Sequence, residues 1–557
     1  MSSNSDIKNE FNENTTAYLN WLKENQVEIS PKITIHDYTS INQGRGIIAL
    51  KDIKKGEILG KIPKILLINL QQNLLISTYP HLKQKFIRLN HWDSLIIILS
   101  YEIRNKTKSK WQNYLNVLPK DKSNFNQLMF WNSQELDMLK PSFILERIGK
   151  DDAEKMYYQI KEIINQLELK ELEDLTFDEY NIIATLIMSY SFDIELTEEE
   201  ENKLIFDQLN TNLDIQDNEK DSDEEKEEIS ILLDGHLKSM VPLADTLNAD
   251  TNFNNAIIIH EIDSLIITSI KDIAKGEQIY NTYSNHPNSE ILRRYGYVEP
   301  EGSKFDFGDI PLIIIQNFFK TKYNIEQDKL NLLFEIIGQI SYEERIEEDD
   351  QEGGVELIID SYDCFKSGEV IIELIFIIQL ITTFLKSNLK FEKKYIKRFY
   401  YKIYQLISSK KVTNEFLKNF KEILEIRLNQ YPIFASQPFS SNANANTREE
   451  MAQIVLKSEY QSLKNCQING LVTIGKTLNS KKIKLIDDDK LIRAIVKKRN
   501  KDDNGDDVEE DEDEEVEEED GDVDEEADGH IDGHIDGHID GHDKRNGHIS
   551  NGKKQKM

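Results

Sequence analysis

The sequence predicts an α+β fold: small β-sheets with an inserted helical region, followed by an all-α C-terminal domain. Three observations carry this. Residues 33–69 and 241–300 read as short apolar strands separated by turns, residues 70–190 and 308–495 carry helical spacing, and one strand-linking heptapeptide occurs twice. Lys51-Asp52-Ile53-Lys54-Lys55-Gly56-Glu57 returns as Lys271-Asp272-Ile273-Ala274-Lys275-Gly276-Glu277, each copy between apolar runs. Apolar runs broken by a Lys-Gly-Glu turn read as a β-hairpin. Two copies so far apart point to two similar strand pairs in one folded unit, not to a tandem array.

In chain order, residues 1–29 form a lead-in with a short helical signal at Tyr18 to Leu22. Residues 30–305 form the mixed domain, with the helical insertion at about 70–195. Trp92 to Leu99 carries a wide apolar face, and Met156 to Leu167 and Phe177 to Phe192 also have helical periodicity. Residues 196–230 hold 14 acidic and 3 basic side chains and read as a mobile loop. From 306 to 498 the pattern is helical: Asp328 to Ile340, Glu369 to Leu385, Phe391 to Ile407 and Asn414 to Leu428. Thr447-Arg448-Glu449-Glu450 is a capping box that opens a helix reaching about Leu463. The tail, 499–557, combines an acidic block with an Asp-Gly-His-Ile repeat. It reads as disordered, with His530, His534, His538 and His542 as weak metal ligands at most.

Charge narrows the function classes. The formal net charge is −33, but residues 502–528 hold 20 acidic and no basic side chains; without that block and the acidic insert the remainder carries only −2. Direct nucleic-acid binding is not expected, because phosphate contacts need clustered Lys and Arg. Val370 to Leu385 is the longest apolar stretch, and Glu373 and Gln379 interrupt it, so no membrane span is expected. The N-terminus lacks the basic and apolar regions of a signal peptide. Cys364 and Cys466 are too few for a thiolate zinc site and suggest a reducing compartment, nucleus or cytoplasm.

The most informative stretch is Met240 to Pro300. Asp245-x-x-Asn248 precedes an Asn-rich turn, Gly276-Glu277 leads to Asn281-Thr282-Tyr283, and Asn288 leads to Tyr295-Gly296-Tyr297. With Gln43-Gly44-Arg45-Gly46 upstream, this set resembles a SET domain. It resembles the class of Rubisco large-subunit methyltransferase, and within it the branch of ribosomal lysine methyltransferase 4 and SET-domain-containing protein 6. The likeness covers roughly 30–300 and, more loosely, the helical domain to about 495. It implies a lysine N-methyltransferase that uses S-adenosyl-L-methionine, with SET-type sheets and a helical C-terminal domain that helps bind a protein substrate.

The residue types suit that chemistry. Methyl transfer from a sulfonium to an amine is an in-line displacement that needs a neutral amine and an oxygen-lined channel more than strong acids or bases. The resemblance assigns Tyr283 as the catalytic tyrosine and Tyr295 as the second aromatic, beside the cofactor. It assigns Asn248 and Ala249 to the family's Asn-His cofactor pair, although Ala249 stands where the family has histidine; Ser284 likewise replaces the usual glycine. Gln43, Gly44 and Arg45 match the loop that wraps the cofactor. Gln43-Gly44-Arg45-Gly46 is not a dinucleotide fingerprint, since position 49 is Ala. Tyr190 matches a cofactor contact, and Ser191, Asp193 and Trp92 match substrate contacts. No metal is expected at the site. The expected partner is a protein with a target lysine, a ribosomal protein foremost, met by a monomer. A non-catalytic SET-fold binding module and a histone methyltransferase are the competing readings. The retained Tyr283 and Asn248 argue against the first, and the missing zinc cluster and the helical domain argue against the second.

Overall fold

The structure is a computed structural model describing residues 4–209, 235–347, 356–439 and 445–502. The chain enters through a helix far longer than the sequence signal suggested, α1 (Asn4–Glu24). Its last turns bury Tyr18, Trp21 and Leu22. Two four-stranded sheets follow. One orders β1 (Glu28–Ile29), β4 (Ile58–Pro63), β9 (Ser264–Ser269) and β8 (Ala256–His260). The other orders β2 (Ile33–Asp37), β3 (Arg45–Ala49), β10 (Gln278–Asn281) and β7 (Asn248–Ala249).

This arrangement corrects the hairpin reading of the repeated heptapeptide. β3 and β4 do not pair, nor do β9 and β10. Each copy instead carries the chain around a corner from one sheet to the other, and the strands pair between copies: β3 with β10, β4 with β9. The corners hold each other almost symmetrically. Ile53 bridges Ile273. Asp272 accepts from the Lys55 amide and Asp52 from the Lys275 amide, both at 2.9 Å. Within each turn the glutamate accepts from the amide three residues back, Glu57 from Lys54 at 2.8 Å and Glu277 from Ala274 at 2.9 Å. Gly56 and Gly276 have φ of +88° and +90°, where a side chain would be strained.

Between the sheets' two halves lie α2 (His91–Arg104), α3 (Lys150–Gln166) and α4 (Phe177–Tyr190). The last stops two residues before the expected Phe192, because the chain turns into β5 (Ser191–Glu195), which pairs with β6 (His236–Met240). Residues Glu198–Leu209, expected as mobile loop, form a helix. The rest of the acidic insert and the tail beyond residue 502 lie outside the described residues. α5 (Asn288–Tyr295) closes the mixed region.

The C-terminal region is mainly helical, including Ile372–Lys386, Lys393–Ser408, Asn414–Leu428 and α6 (Arg448–Asn469). The capping box forms: the Thr447 hydroxyl accepts from the Glu450 amide, and the Glu450 carboxylate from the Thr447 amide at 2.9 Å. Two short two-stranded sheets, Phe307–Pro311 with Ser361–Phe365 and Lys411–Thr413 with Lys484–Ile486, join the helices. The fold also brings Cys364 and Cys466 together as buried free thiols.

Residues up to Ile492 pack as one unit. The seam between mixed and helical regions packs Trp131, Leu139, Leu292 and Val298 against Met451 and Val455, with buried polar contacts beside them. Arg427, only 2% exposed, donates to the carbonyls of Asp309 at 2.8 Å and Pro141 at 3.0 Å. Glu459 on α6 accepts from Ser142 on one side and from Tyr431, at 2.8 Å, on the other. Burial, reinforced by Asp309, pushes the Glu459 carboxyl up to about 7. A carboxyl raised in the fold contributes stability below its unfolded value, near 4.3, and loses it as the pH rises through about 7. Glu459→Gln, neutral throughout, is therefore expected to gain in melting temperature relative to the parent on going from pH 5 to pH 8, by about 2 °C or more in paired thermal scans.

Candidate active site

The site forms where β10 ends. β7 lies parallel to it, Asn248 opposite Tyr280 and Ala249 opposite Asn281, so the chain leaving β10 delivers Tyr283 beside the segment that precedes β7. The Tyr283 hydroxyl donates to the Leu247 carbonyl at 2.8 Å. Its ring packs against Tyr295 at 4.9 Å between centroids and meets Tyr297 edge-on at 6.3 Å. Enclosure among these rings raises the Tyr283 hydroxyl well above the usual tyrosine value, with Tyr190, Tyr295 and Asp245 adding to the effect. Tyr190 is pushed up to about 12, chiefly by burial and next by Asp245. All three aromatic hydroxyls, Tyr190, Tyr283 and Tyr295, thus remain protonated near neutrality. A narrow crevice runs past Ala249, Thr282, Tyr283, His286, Tyr295 and Tyr297.

On the same sheet, two buried donors converge without a partner, Asn248 Nδ2 and Gln278 Nε2, with the Tyr38 ring beside them. They surround Gly46 on β3, where a Cβ would lie 2.6 Å from Asn248 Nδ2 and 2.8 Å from both Gln278 Nε2 and the Tyr38 ring. Unpaired buried donors are costly. Their convergence suits an acceptor such as a carboxylate, and the cradle requires glycine at its floor. Gln43 and Gly44 belong to the loop over it: Gly44 accepts from the Tyr38 amide at 2.6 Å, and Gln43 Oε1 lies 3.4 Å from the Tyr280 hydroxyl.

The structure therefore brings Gln43, Gly44, Asn248, Ala249, Tyr190, Tyr283 and Tyr295 into one region. Arg45 joins it through its backbone, and its charge reaches Tyr190. Its guanidinium stacks over Phe11 at 3.8 Å and donates to Thr15 Oγ1 and the carbonyls of Phe11 and Val117. Ser191 pairs with Met240 on β5, just past Tyr190. Asp193 is exposed and bonded to Lys238 at 2.5 Å, close enough for its charge to act on Tyr295. Trp92 is not brought there. It sits on α2 beside Tyr180, ten residues before Tyr190 and thus roughly 15 Å along α4.

Sequence reasoning left several neighbours unassigned. Asp245 is 8% exposed, accepts from Tyr114 Oη at 2.6 Å and is raised to about 7 by burial. Glu299, raised by burial to about 7, accepts from the Thr251 amide at 2.7 Å and from the Thr251 hydroxyl. An isolated acid inside the apolar run Val241 to Leu247 was a usable signal for Asp245. Nothing local marked Tyr38, Gln278 or the Leu247 carbonyl. Among the described residues no group of three or more His, Cys, Asp or Glu could hold a metal, and no helix is long and apolar enough to cross a membrane.

A family profile described as "SET domain" matches residues 44–284. The ribosomal lysine N-methyltransferase 4 of Saccharomyces cerevisiae is 36% identical over 509 residues, spanning 88% of this chain and 96% of that protein. Its namesake in Schizosaccharomyces pombe is 24% identical over 511 residues, 84% and 98% of the two chains. The N-lysine methyltransferase setd6 of Salmo salar is 28% identical over 335 residues, 58% and 65%. Among solved structures, that of Rubisco LSMT bound to AdoMet aligns with a TM-score of 0.53 at 18% identity, covering 86% of this chain and 95% of the other; at that identity the likeness concerns the fold.

Gly46→Ala is expected to cost about 1–3 kcal/mol of folding stability through overpacking against Asn248, Gln278 and Tyr38. Equilibrium urea unfolding measures this, with a change below about 0.5 kcal/mol as the contrary result.

Proposed function

This chain belongs to the SET-domain lysine N-methyltransferases, and from that premise we propose that it transfers methyl groups from S-adenosyl-L-methionine to a lysine of a ribosomal protein. The observation that carries the chemistry is the Tyr283 hydroxyl held on the Leu247 carbonyl, just past the strand that contributes Gln278 to the Gly46 cradle. The identity over nearly the full length of ribosomal lysine N-methyltransferase 4 supports the substrate class.

S-adenosyl-L-methionine, when bound, supplies a methyl on a positively charged sulfur. Asn248 and Gln278 are the side chains that would hold its carboxylate end, since their unpaired amide donors meet at Gly46. Tyr283 donates its hydroxyl hydrogen bond to the Leu247 carbonyl, which leaves its oxygen lone pairs as acceptors for an amine N–H or an electropositive methyl. The ring remains neutral, so it serves as a fixed dipole and not as a base. The tyrosines supply no base, so the lysine arrives deprotonated or loses its proton to water or to another group of the lining such as His286. The two buried thiols, unbonded though adjacent, favour a reducing compartment, nucleus or cytoplasm.

Tyr283→Phe is expected to lower turnover on a lysine peptide by about 10²-fold, the loss typical of one preorganised polar contact, with cofactor affinity by calorimetry nearly unchanged. In the parent, turnover is expected to climb from pH 7 to 9.5 as the substrate amine deprotonates. No descending limb from Tyr283 is expected in that range, because a raised hydroxyl stays protonated through it. Near-normal turnover of the phenylalanine variant would remove Tyr283 from the mechanism.

A further inference from the structure

Two of the three site tyrosines, Tyr190 and Tyr295, are the last residues of α4 and α5. Those two helix ends meet at one buried side chain that belongs to neither helix. Gln127, 2% exposed, lies just ahead of the short turn Leu128–Phe130. Its Nε2 donates to Ser189 Oγ at 2.9 Å, and that hydroxyl donates in turn to the Arg294 carbonyl at 3.1 Å. Ser189 immediately precedes Tyr190, and Arg294 immediately precedes Tyr295. The relay therefore ties the two helices together one residue before each ring.

The same side chain abuts the residue after Tyr295. Gly296 closes α5 with φ of +73°, and a Cβ there would lie 2.8 Å from Gln127 Oε1, 2.9 Å from its Cδ and 3.0 Å from its backbone nitrogen. Gly296 stands between Tyr295 and Tyr297, both of which line the crevice. Movement of the α5 end toward Gln127 is blocked by contact, and movement away from it breaks the relay. The segment around Gln127 is itself anchored. Arg448, on the first turn of α6, donates to the carbonyls of Phe125 at 3.1 Å and Phe130 at 3.2 Å, on either side of Gln127, and pairs with Glu135 at 2.7 Å. Leu128, the next residue, shares a buried apolar cluster with Leu292 of α5 and with Met451 and Val455 of α6.

Stability does not account for an amide at this position. Gln127 Oε1 is buried without a hydrogen-bond partner. A buried acceptor left unpaired costs free energy, and methionine, unbranched and of similar length, fills such a space without that cost. What methionine cannot supply is the bond to Ser189.

Resting on the methyltransferase reading above, we propose that Gln127 is a positioning residue for methyl transfer. It acts through its neighbours. The bond to Ser189 and the contact with Gly296 fix the ends of α4 and α5, and with them Tyr190 and Tyr295 around Tyr283, whose ring lies 4.9 Å from that of Tyr295 between centroids. Through Arg448 the helical region also bears on this alignment.

The test compares Gln127→Met, Ser189→Ala and the double variant, each in the full-length chain. Ribosomal proteins from cells lacking the gene serve as substrate and tritium-labelled S-adenosyl-L-methionine as donor. Each single variant should lower kcat by about 10-fold, within the range that small misplacements near a reacting centre produce. The double variant should be no slower than Ser189→Ala, because both changes remove one shared relay. Affinity for S-adenosylhomocysteine by calorimetry should change far less than kcat, and Gln127→Met should melt within about 3 °C of the parent. Turnover of Gln127→Met within about 2-fold of the parent, or losses that multiply in the double variant, overturn the proposal. So does a loss that vanishes once rates are corrected for the folded fraction, which marks a purely structural contact. Labelling by the parent that both single variants leave intact removes the role of Gln127 alone. No labelling by the parent removes the methyltransferase reading and this proposal with it.

Discussion

The hydrogen bond from Tyr283 to the Leu247 carbonyl is the contact on which the site depends, and much of the fold serves to keep that carbonyl in place. The turn before β7 is held from behind. Leu243 has φ of +73°, unfavourable for a residue with a side chain, and its amide donates to Tyr18 Oη at 2.6 Å. Asp245, on the same turn, accepts from Tyr114. Tyr18 belongs to α1, and Arg45 fastens α1 by binding Phe11 and Thr15. Arg45 therefore belongs to β3 by its backbone and works as a clamp by its side chain. The N-terminal helix is a structural support of the active site, not an appendage.

The two sheets give that turn a rigid frame. Because the repeated heptapeptides lock corner to corner, β3 and β10 are fixed against each other without a hairpin between them. Gly46 on β3 and Gln278 on β10 then face Asn248 on β7 at contact distance. A long helical insertion can separate the two copies in sequence because the pairing is between copies and not within them. The helical region adds an apolar core of its own, with Ile377, Phe399, Phe416 and Phe420 fully buried, and at its seam Arg427 and Glu459 satisfy groups on both sides.

Much of this was legible in the sequence, for identifiable reasons. Helices with wide apolar faces, such as Asn414–Leu428, and the Thr447 capping box depend on spacing within a few residues, and they formed where the spacing placed them. Motif order singled out Tyr283, Asn248 and Tyr295, and the fold places Tyr283 against Tyr295 and on the carbonyl that precedes Asn248. What was missed depends on partners distant in the chain. The strand partner of each heptapeptide is some 220 residues away, so a local recipe suggested a hairpin. The Arg45 side chain chose carbonyls on α1 and at Val117 that no spacing rule reveals. Trp92 had a motif-like position, but its helix carries it to Tyr180. α1 beyond Tyr18 was hidden because its outer turns are polar and carry little periodicity.

The account's central claim is that one tyrosine-centred crevice methylates protein lysines. Mass spectrometry of lysines in ribosomal proteins, from cells carrying the parent gene, no gene, or the Tyr283→Phe variant, tests it most directly. The account expects at least one lysine to be methylated with the parent and unmodified in the other two. Identical lysine methylation in all three strains would contradict it.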